Sequence, residues 1–392
     1  MFDCNLGHAM EVCLIDDKSS PANVQLYYGS ISIVASKFLD SYQRIRRIEE
    51  SIRSHTKDSF ITPPGAPSTM KEFASRFYEA YEKLYPRVLR HCAELMERDL
   101  EDPAVKERAF DNARRILPAG TLTNLSVVGS LQDFRYLIQD ADIHPNPEIR
   151  LIGHTTRHII TETHPDLIWE TDPGPFEPRV RSLGCTSTKF NQNRPSWYVD
   201  LYEPDLYGDR VMVEKVFSRM LVDRYGMSWL AFTKFMHERG KRSVPKIFRS
   251  VGISFDIMTD YGTYQDFQRY MRCEQHSEPL TMNYGYVVPD DIIGTDMEIE
   301  YRTAMEQVHL YEDELVSHEI DLMQYIIPLG YLHRSVFETN LQEVYNISEF
   351  LNQSRFQVSC KKIAYEMVKI SKNSYPDLMQ WCRITDPNRV NA

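Results

Sequence analysis

The chain has 392 residues, 42% hydrophobic and 26% charged, with a formal net charge of -11 at pH 7. That length allows two domains with cores of their own, and the acidic balance argues against bulk binding to nucleic acid polymers or anionic membrane. No apolar run approaches the ~18 residues of a membrane helix. The first residues, MFDCNLGHAM, lack the regions of a signal peptide, and seven cysteines without a C-x-x-C pair suit a reduced, cytoplasmic protein.

In chain order, Met10 to Ile15 is a short apolar run that suggests a strand, and residues 31–39 (ISIVASKFL) fit either a strand or a buried helix. The dense charges from Asp40 to Arg53 predict a helix with a basic N-terminal half, closed by the Pro63-Pro64-Gly65 loop. Ser68 is a candidate N-cap for a long helix carrying Phe73, Phe77, Tyr81, Leu84 and Val88 at spacings of three and four, with a kink at Pro86. Further helices are expected over 104–116, 122–139 and 147–163. Residues 172–208, with five prolines and little periodicity, read as a connector. Beyond them come amphipathic segments over 210–238, an alternating strand at Gly252 to Met258, a helix from Tyr264 to Cys273 and a loop from Thr281 to Pro289. Helices over 297–319, 331–351 and 357–372 follow. The sum is a helix-rich α+β chain.

One stretch is written twice. Ile116-Leu117-Pro118-Ala119-Gly120-Thr121-Leu122 returns 210 residues later as Ile326-Ile327-Pro328-Leu329-Gly330-Tyr331-Leu332, and Leu131-Gln132 returns as Leu341-Gln342. Without a gap, residues 116–134 and 326–344 agree at six of nineteen positions, where ordinary composition gives roughly one. His164-Pro165-Asp166-Leu167 echoes Tyr375-Pro376-Asp377-Leu378 at a spacing of 211. A divergent tandem duplication follows, with repeat one over 1–171, the connector over 172–208 and repeat two over 209–392.

Among candidate sites, P-loop, G-x-G-x-x-G, H-E-x-x-H and G-x-S-x-G signatures are absent. His154 and His158 would share a helix face near Glu162 and His164, but the matching segment 360–372 has no histidine, so no metal site is expected. Cys273 and Cys360 are expected to pack as small apolar residues. The sharper feature is Arg44, Arg46 and Arg47 with Glu50, Ser51 and Arg53. Guanidinium forks suit phosphate, whereas the duller reading is a solvated helix face with pairs such as Arg46 and Glu50.

Ala113-Arg114-Arg115-Ile116-Leu117-Pro118 fits A-R-x-x-L-P, and Asn340-Leu341-Gln342 stands where N-x-R would follow in repeat two. With Arg44-Ile45-Arg46, Glu50-Ser51-Ile52-Arg53 and Gln268-Arg269-Tyr270-Met271, the chain resembles the flavin-dependent thymidylate synthase (ThyX-type) family. It looks like a tandem-duplicated member whose repeats each pack a small sheet with long helices. The family's R-H-R-x7-S motif is matched imperfectly, and both Ser51 and Ser54 remain candidates for its serine. The motif histidine is Ile45 in one repeat and Tyr270 in the other. A late substrate arginine falls at Ala141 and Leu351, and the second motif arginine is Met271 in repeat two.

The resemblance implies substrate contacts at Glu50, Ser51, Arg53 and Arg114, and flavin contacts at Arg44, Arg46, Arg269, Asn340 and Asn346. Repeat one has Ser130 and Tyr136 where repeat two has the two asparagines. It further implies FAD as cofactor, methylenetetrahydrofolate and NADPH as co-substrates, and a pyrimidine nucleotide such as dUMP as substrate. The cofactor carries the chemistry in such enzymes, so no catalytic dyad is called for. The family's homotetramers imply a homodimer of this doubled chain. The rival expectation, fed by the missing arginines and histidine, is a degenerate flavin- or nucleotide-binding pseudoenzyme.

Overall fold

The structure, a computed structural model, describes residues 11–16, 24–40, 46–52, 59–63, 66–144, 146–163, 197–202, 210–240, 242–311, 320–353 and 356–387. The elements of repeat one are β1 (Glu11–Asp16), β2 (Val24–Ser32), α1 (Ile33–Asp40), β3 (Arg46–Ile52), α2 (Thr69–Met96), α3 (Pro103–Ala113), β4 (Leu122–Gly129), α4 (Leu131–Ile143) and α5 (Pro147–Thr163). Then come β5 (Tyr198–Leu201), α6 (Arg210–Tyr225), α7 (Trp229–Glu238), β6 (Gly252–Asp260), α8 (Tyr261–Tyr270), β7 (Glu274–Ser277), α9 (Glu298–Glu306), α10 (Ile320–Ile326), β8 (Leu332–Asn340), α11 (Leu341–Leu351), α12 (Val358–Ser374) and α13 (Pro376–Met379). The fold is helix-rich α+β, as expected.

The described strands form two four-stranded sheets, ordered β1-β2-β4-β3 and β5-β6-β8-β7. The order is the same in both, so each repeat builds the same sheet. Two compact units result, but they do not follow the repeats. One comprises Met1–Thr186, Asp260–Gly262 and Pro279–Leu332; the other comprises Ser187–Thr259, Thr263–Glu278 and His333–Ala392.

Several expectations need correction. The charged run 40–53 is not a helix: its described part, Arg46–Ile52, is a strand antiparallel to β4. β3 lies at the edge of its sheet, where charged side chains are tolerated and discourage further pairing, so charge density misleads there. The helices expected over 122–139 and 331–351 each begin as a strand, β4 or β8, and turn helical only at Leu131 and Leu341. The helix expected over 297–319 is broken: α9 ends at Glu306, a turn follows at 307–308, residues 309–311 are helical again, and 312–319 lie outside the described residues. Within the supposed connector, Tyr198–Leu201 pairs with β6 as an edge strand.

The long helix α2 buries Phe73, Phe77, Tyr81, Leu84 and Val88 as the periodicity requires, and runs on through Pro86. Ser68 does not cap it; its backbone is already helical and its side chain makes no capping bond. α3 has the expected start, with the Asp102 side chain accepting from the Ala104 N–H at 2.8 Å and Pro103 in the first turn. In the first unit, Leu26, Tyr28, Leu125 and Val127 of the sheet meet Phe134, Leu137 and Ile138 of α4 and Ile149, Ile152 and Ile160 of α5 in one core. In the second unit, an aromatic cluster joins Phe217 of α6, Phe232 of α7, Phe248 and Tyr345 of α11, with successive centroids 5.1 to 5.7 Å apart.

The repeated Pro-x-Gly stretch is the centre of the first unit. Each copy makes a tight turn, with the Thr121 N–H donating to the Pro118 carbonyl and the Tyr331 N–H to that of Pro328, both at 3.0 Å. The two turns then bind each other reciprocally. Ala119 donates to Ile327 at 3.0 Å and Leu329 to Leu117 at 2.9 Å; Gly120 donates to Tyr325 at 2.6 Å and Gly330 to Arg115 at 2.8 Å. Every donor and acceptor maps onto its counterpart 210 residues away, the self-complementary pattern of a two-fold interface. Helix starts dock symmetrically: Ile33 and Val34 of α1 donate to Thr121 and Ala119, and Tyr261 and Gly262 of α8 donate to Tyr331 and Leu329. Outer segments do likewise, Ile61 donating to Gly120 and Val287 to Gly330, both at 2.9 Å.

Polar side chains reinforce the junction, but here the copies differ. Arg115, buried, places Nε 3.2 Å from the Asp260 carboxylate at the end of β6. Burial opposes its charge most strongly, and Asp260 together with Tyr301 and Asp111 outweighs it, leaving the guanidinium above its ordinary range. The counterpart of Arg115 is Tyr325, whose hydroxyl donates to Glu148 Oε2 at 2.8 Å. Glu148, also buried, accepts from the Ser32 N–H at 2.8 Å and hydroxyl at 2.6 Å, at the end of β2. Burial raises the Glu148 pKa, and the bonds from Ser32 and Tyr325 only partly counter it.

Two outcomes follow for stability. A Cβ at Gly120 would sit 2.9 Å from the Tyr325 carbonyl oxygen and 2.5 Å from the Phe60 ring, whereas at Gly330 the clash is with the mobile end of Met305 and the Tyr301 hydroxyl, each at 2.9 Å. Urea unfolding should show Gly120→Ala losing ~1–3 kcal/mol and Gly330→Ala less. Glu148 has a folded pKa above its unfolded value, so its contribution is greatest below the ordinary carboxylate range and is lost as pH rises through the raised value. Unfolding free energies measured from pH 4 to 8 should therefore fall more steeply with pH in the wild type than in Glu148→Gln; identical slopes would refute this.

Candidate functional site

Arg114 lies in a single 3-10 turn (Arg114–Ile116) between α3 and the Pro118 turn. It is 8% exposed, with Nη2 3.3 Å from Asp111 Oδ1 one turn earlier and its guanidinium carbon 5.5 Å from the centre of the Phe110 ring. A charged, planar, nearly buried group is thereby held against the end of α3, eight residues ahead of β4. The same position in repeat two is Gln324, whose side-chain oxygen accepts from the Leu280 N–H at 3.3 Å.

β3 lies alongside β4. Its backbone pairs Arg46 with Val128, Glu50 with Leu125, Ser51 with Asn124 and Ile52 with Thr123. The end of β3 thus lies beside the start of β4, eight residues after Arg114. On a strand the one-turn spacing that a helical i, i+4 pairing needs is not set up. Arg44, Arg53 and Ser54 fall outside the described residues, as does His164.

Of the flavin-side candidates, Arg269, Asn340 and Asn346 belong to the second compact unit and Arg46 to the first. Arg269 stands near the end of α8, 3.4 Å from Asp266. α8 corresponds to α1, not to β3, so Arg269 and the Arg44–Arg46 segment are not equivalent positions. By strand pairing the counterpart of β3 is β7, since Arg46 faces Val128 and Glu274 faces Glu338, 210 residues further on. Asn340 caps α11, its side-chain oxygen accepting from the Glu343 N–H at 3.1 Å. Ser130 does the same for α4 in a capping box with Asp133. Asn346 is exposed and donates to Glu343 at 3.3 Å, and its counterpart Tyr136 is also exposed.

Several polar groups escaped sequence reasoning. Lys37 on α1 lies 4.7 Å from the centre of the Tyr261 ring, and burial pulls its pKa well down. His144, whose ring meets Phe38 edge-on, is lowered to about 4 by burial first, then by the charges of Arg150 and Lys37. Asn124 and Arg334, 210 residues apart, occupy matching places in the two sheets. Comparing the copies position by position would have singled them out. His158 pairs with Glu162 at 3.2 Å, and among the described residues no group of three His, Cys, Asp or Glu could hold a metal. Cys273 and Cys360 are buried, as expected of apolar packing. No helix among the described residues is long and apolar enough to cross a membrane.

Comparison with known proteins agrees with this doubled architecture. The family model for thymidylate synthase complementing protein matches twice, over residues 22–166 and 231–377. A UPF0159 protein of Chlamydia pneumoniae is 25% identical over 328 residues, covering 74% of this chain and 61% of its own length. A UPF0159 protein of Thermoplasma acidophilum is 26% identical over 381 residues, covering 90% of this chain and 72% of its own. The chain thus spans less than two thirds of the chlamydial relative. Two family matches, two sheets of identical strand order and two interlocked turns tell the same history: the chain belongs to the thymidylate synthase complementing protein family, as a divergent member that carries the family unit in tandem.

Proposed function

We propose that the protein is a flavin-dependent thymidylate synthase-like methyltransferase acting in the cytoplasm, on dUMP or a related pyrimidine nucleotide, with methylenetetrahydrofolate as carbon donor. The observation that carries this reading is the convergence in repeat one. Antiparallel pairing sets Glu50 and Ser51 against Leu125 and Asn124, near the start of the strand into which the Arg114 turn leads, although more than sixty residues separate them from Arg114 in sequence. Arginine offers paired donors to a phosphate, and the contact with Asp111 restrains it beforehand, which lowers the ordering cost of binding.

The second unit suits a flavin in part. Asn346 offers an exposed amide, whereas the Asn340 oxygen is engaged in a helix cap, so Asn346 and Arg269 would hold the group and Asn340 would support them through α11. FAD, when bound, supplies the hydride chemistry and NADPH restores it. The residues of this chain bind and orient: Arg114 the nucleotide phosphate, Glu50 and Ser51 the remainder of the nucleotide. Two chains would assemble as a homodimer.

A second reading, a non-catalytic flavin- or nucleotide-binding protein, is favoured by Gln324 standing where Arg114 stands in repeat one. Three measurements separate the two. An enzyme takes up FAD with a visible-region spectrum and releases tritium from [5-3H]dUMP when given methylenetetrahydrofolate and NADPH. Asn346→Ala should weaken FAD binding, and Arg114→Ala should weaken dUMP binding by about tenfold or more, the loss of a charge-assisted contact, with FAD uptake unchanged. Colourless protein that takes up no FAD would overturn the enzymatic reading; FAD and dUMP binding without tritium release would establish the second.

A further inference from the structure

The two sheets differ at one matching place, and the difference bears on which repeat can take a ligand; the inference rests on the nucleotide reading above. In repeat one, the ladder between β2 and β4 slips by a residue between Tyr28 and Ile31. Within that slip Ser30 has φ 56°, a left-handed conformation rare for residues other than glycine, asparagine and aspartate. Bulges and strained residues of this kind gather at functional sites. The strain is held by Asn124, whose Oδ1 accepts from the Ser30 N–H at 3.0 Å, both residues being buried. On its other side Asn124 pairs through its backbone with Ser51. One buried amide therefore ties the bulge of β2 to the strand that carries Glu50 and Ser51.

In repeat two the residue 210 further on is Arg334. Its Nε and Nη2 donate to the two oxygens of Asp256 at 3.0 and 2.8 Å, and its Nη1 donates to Glu278 at 3.2 Å. The Tyr198 hydroxyl donates to Asp256 at 3.3 Å. Glu278 bonds to the Arg334 carbonyl through its backbone N–H at 3.2 Å, the place Ser51 holds beside Asn124. None of the described residues of β6 has a positive φ apart from glycine's own freedom, which is not used there. So where repeat one has a neutral amide, a serine and a strained bulge, repeat two has an arginine committed to two carboxylates. A nucleotide reaching that place would meet two carboxylates already engaged with Arg334.

We infer that the chain binds one pyrimidine nucleotide and not two. Repeat one takes it, with Asn124 as the positioning residue for β3, and the Arg334–Asp256–Glu278 cluster closes the equivalent place in repeat two. The cluster keeps the fold of the second sheet intact while removing its capacity for an anion.

Calorimetric titration of the intact chain with dUMP, FAD present, tests this. One equivalent per chain is expected. Asn124→Ala should raise the dUMP Kd and KM about tenfold with kcat in tritium release nearly retained, because a residue that merely supported the fold would lower Tm without splitting KM from kcat. Arg334→Gln should lower Tm yet leave stoichiometry and dUMP affinity as in the wild type. Two equivalents per chain, a lowered Tm for Asn124→Ala with unchanged dUMP affinity, or an Arg334→Gln loss of affinity equal to that of Asn124→Ala would each overturn the inference. Failure of the intact wild-type chain to bind any dUMP would instead bring down the nucleotide reading, and this inference with it.

Discussion

The rest of the first unit depends on four backbone hydrogen bonds exchanged between two Pro-x-Gly turns. Pro118 and Pro328 supply the carbonyls that close the turns. Gly120 and Gly330 let the chains approach to a distance at which a methyl group already collides with backbone or buried side chains. Around them the starts of α1 and α8 and the segments at Ile61 and Val287 all spend their N–H groups on the same turns. A buried lattice of backbone bonds must be complete, since each unmatched donor or acceptor costs more than a made bond returns. This is a physical reason for a seven-residue stretch to stay legible in both copies while its surroundings drifted.

That constraint also explains what was legible in the sequence. The duplication, the turn and the long helix around Phe77 and Leu84 could be read because each rests on local requirements: proline, glycine, or a helical spacing of apolar residues. β3 could not, because its charges are compatible with either a helix surface or an edge strand, and only β4 decides between them. β4 and β8 were absorbed into the helices that follow, since the leucines at 131 and 341 extend an apolar pattern backwards across the strand. Of the candidate site, Arg114 was legible only through the A-R-x-x-L-P resemblance. Asn124 and Lys37 were not, because an asparagine beside a bulge and a lysine over a tyrosine ring are products of pairing and packing at long range.

The copies have aged differently where side chains, not backbone, make the contact. Arg115 and Tyr325 reach towards the ends of β6 and β2 by different chemistry, one through an ion pair with Asp260 and the other through a hydroxyl on Glu148. A buried ion pair is weak evidence of stabilisation, since desolvation offsets most of its attraction, so replacing it by a hydroxyl-to-carboxyl hydrogen bond leaves the junction intact. Similar freedom operates at Ser130 and Asn340, where either residue satisfies the helix cap. What the fold demands is a partner for each buried group, and it is indifferent to which residue supplies it.

The compact units are woven from alternating stretches of chain, and this has a consequence for how the molecule is made. The first unit includes Asp260–Gly262 and Pro279–Leu332, so the sheet of repeat one cannot acquire its full set of neighbours while the polypeptide is emerging in order from the ribosome. The Pro118 turn must wait, with its donors and acceptors facing water, until some two hundred further residues have been synthesised, about ten to forty seconds at ordinary translation rates. During that interval the nascent chain holds an unsatisfied strand-like surface whose natural complement is a near-copy of itself, which makes chaperone capture or pairing between neighbouring nascent chains the characteristic hazard of its biogenesis.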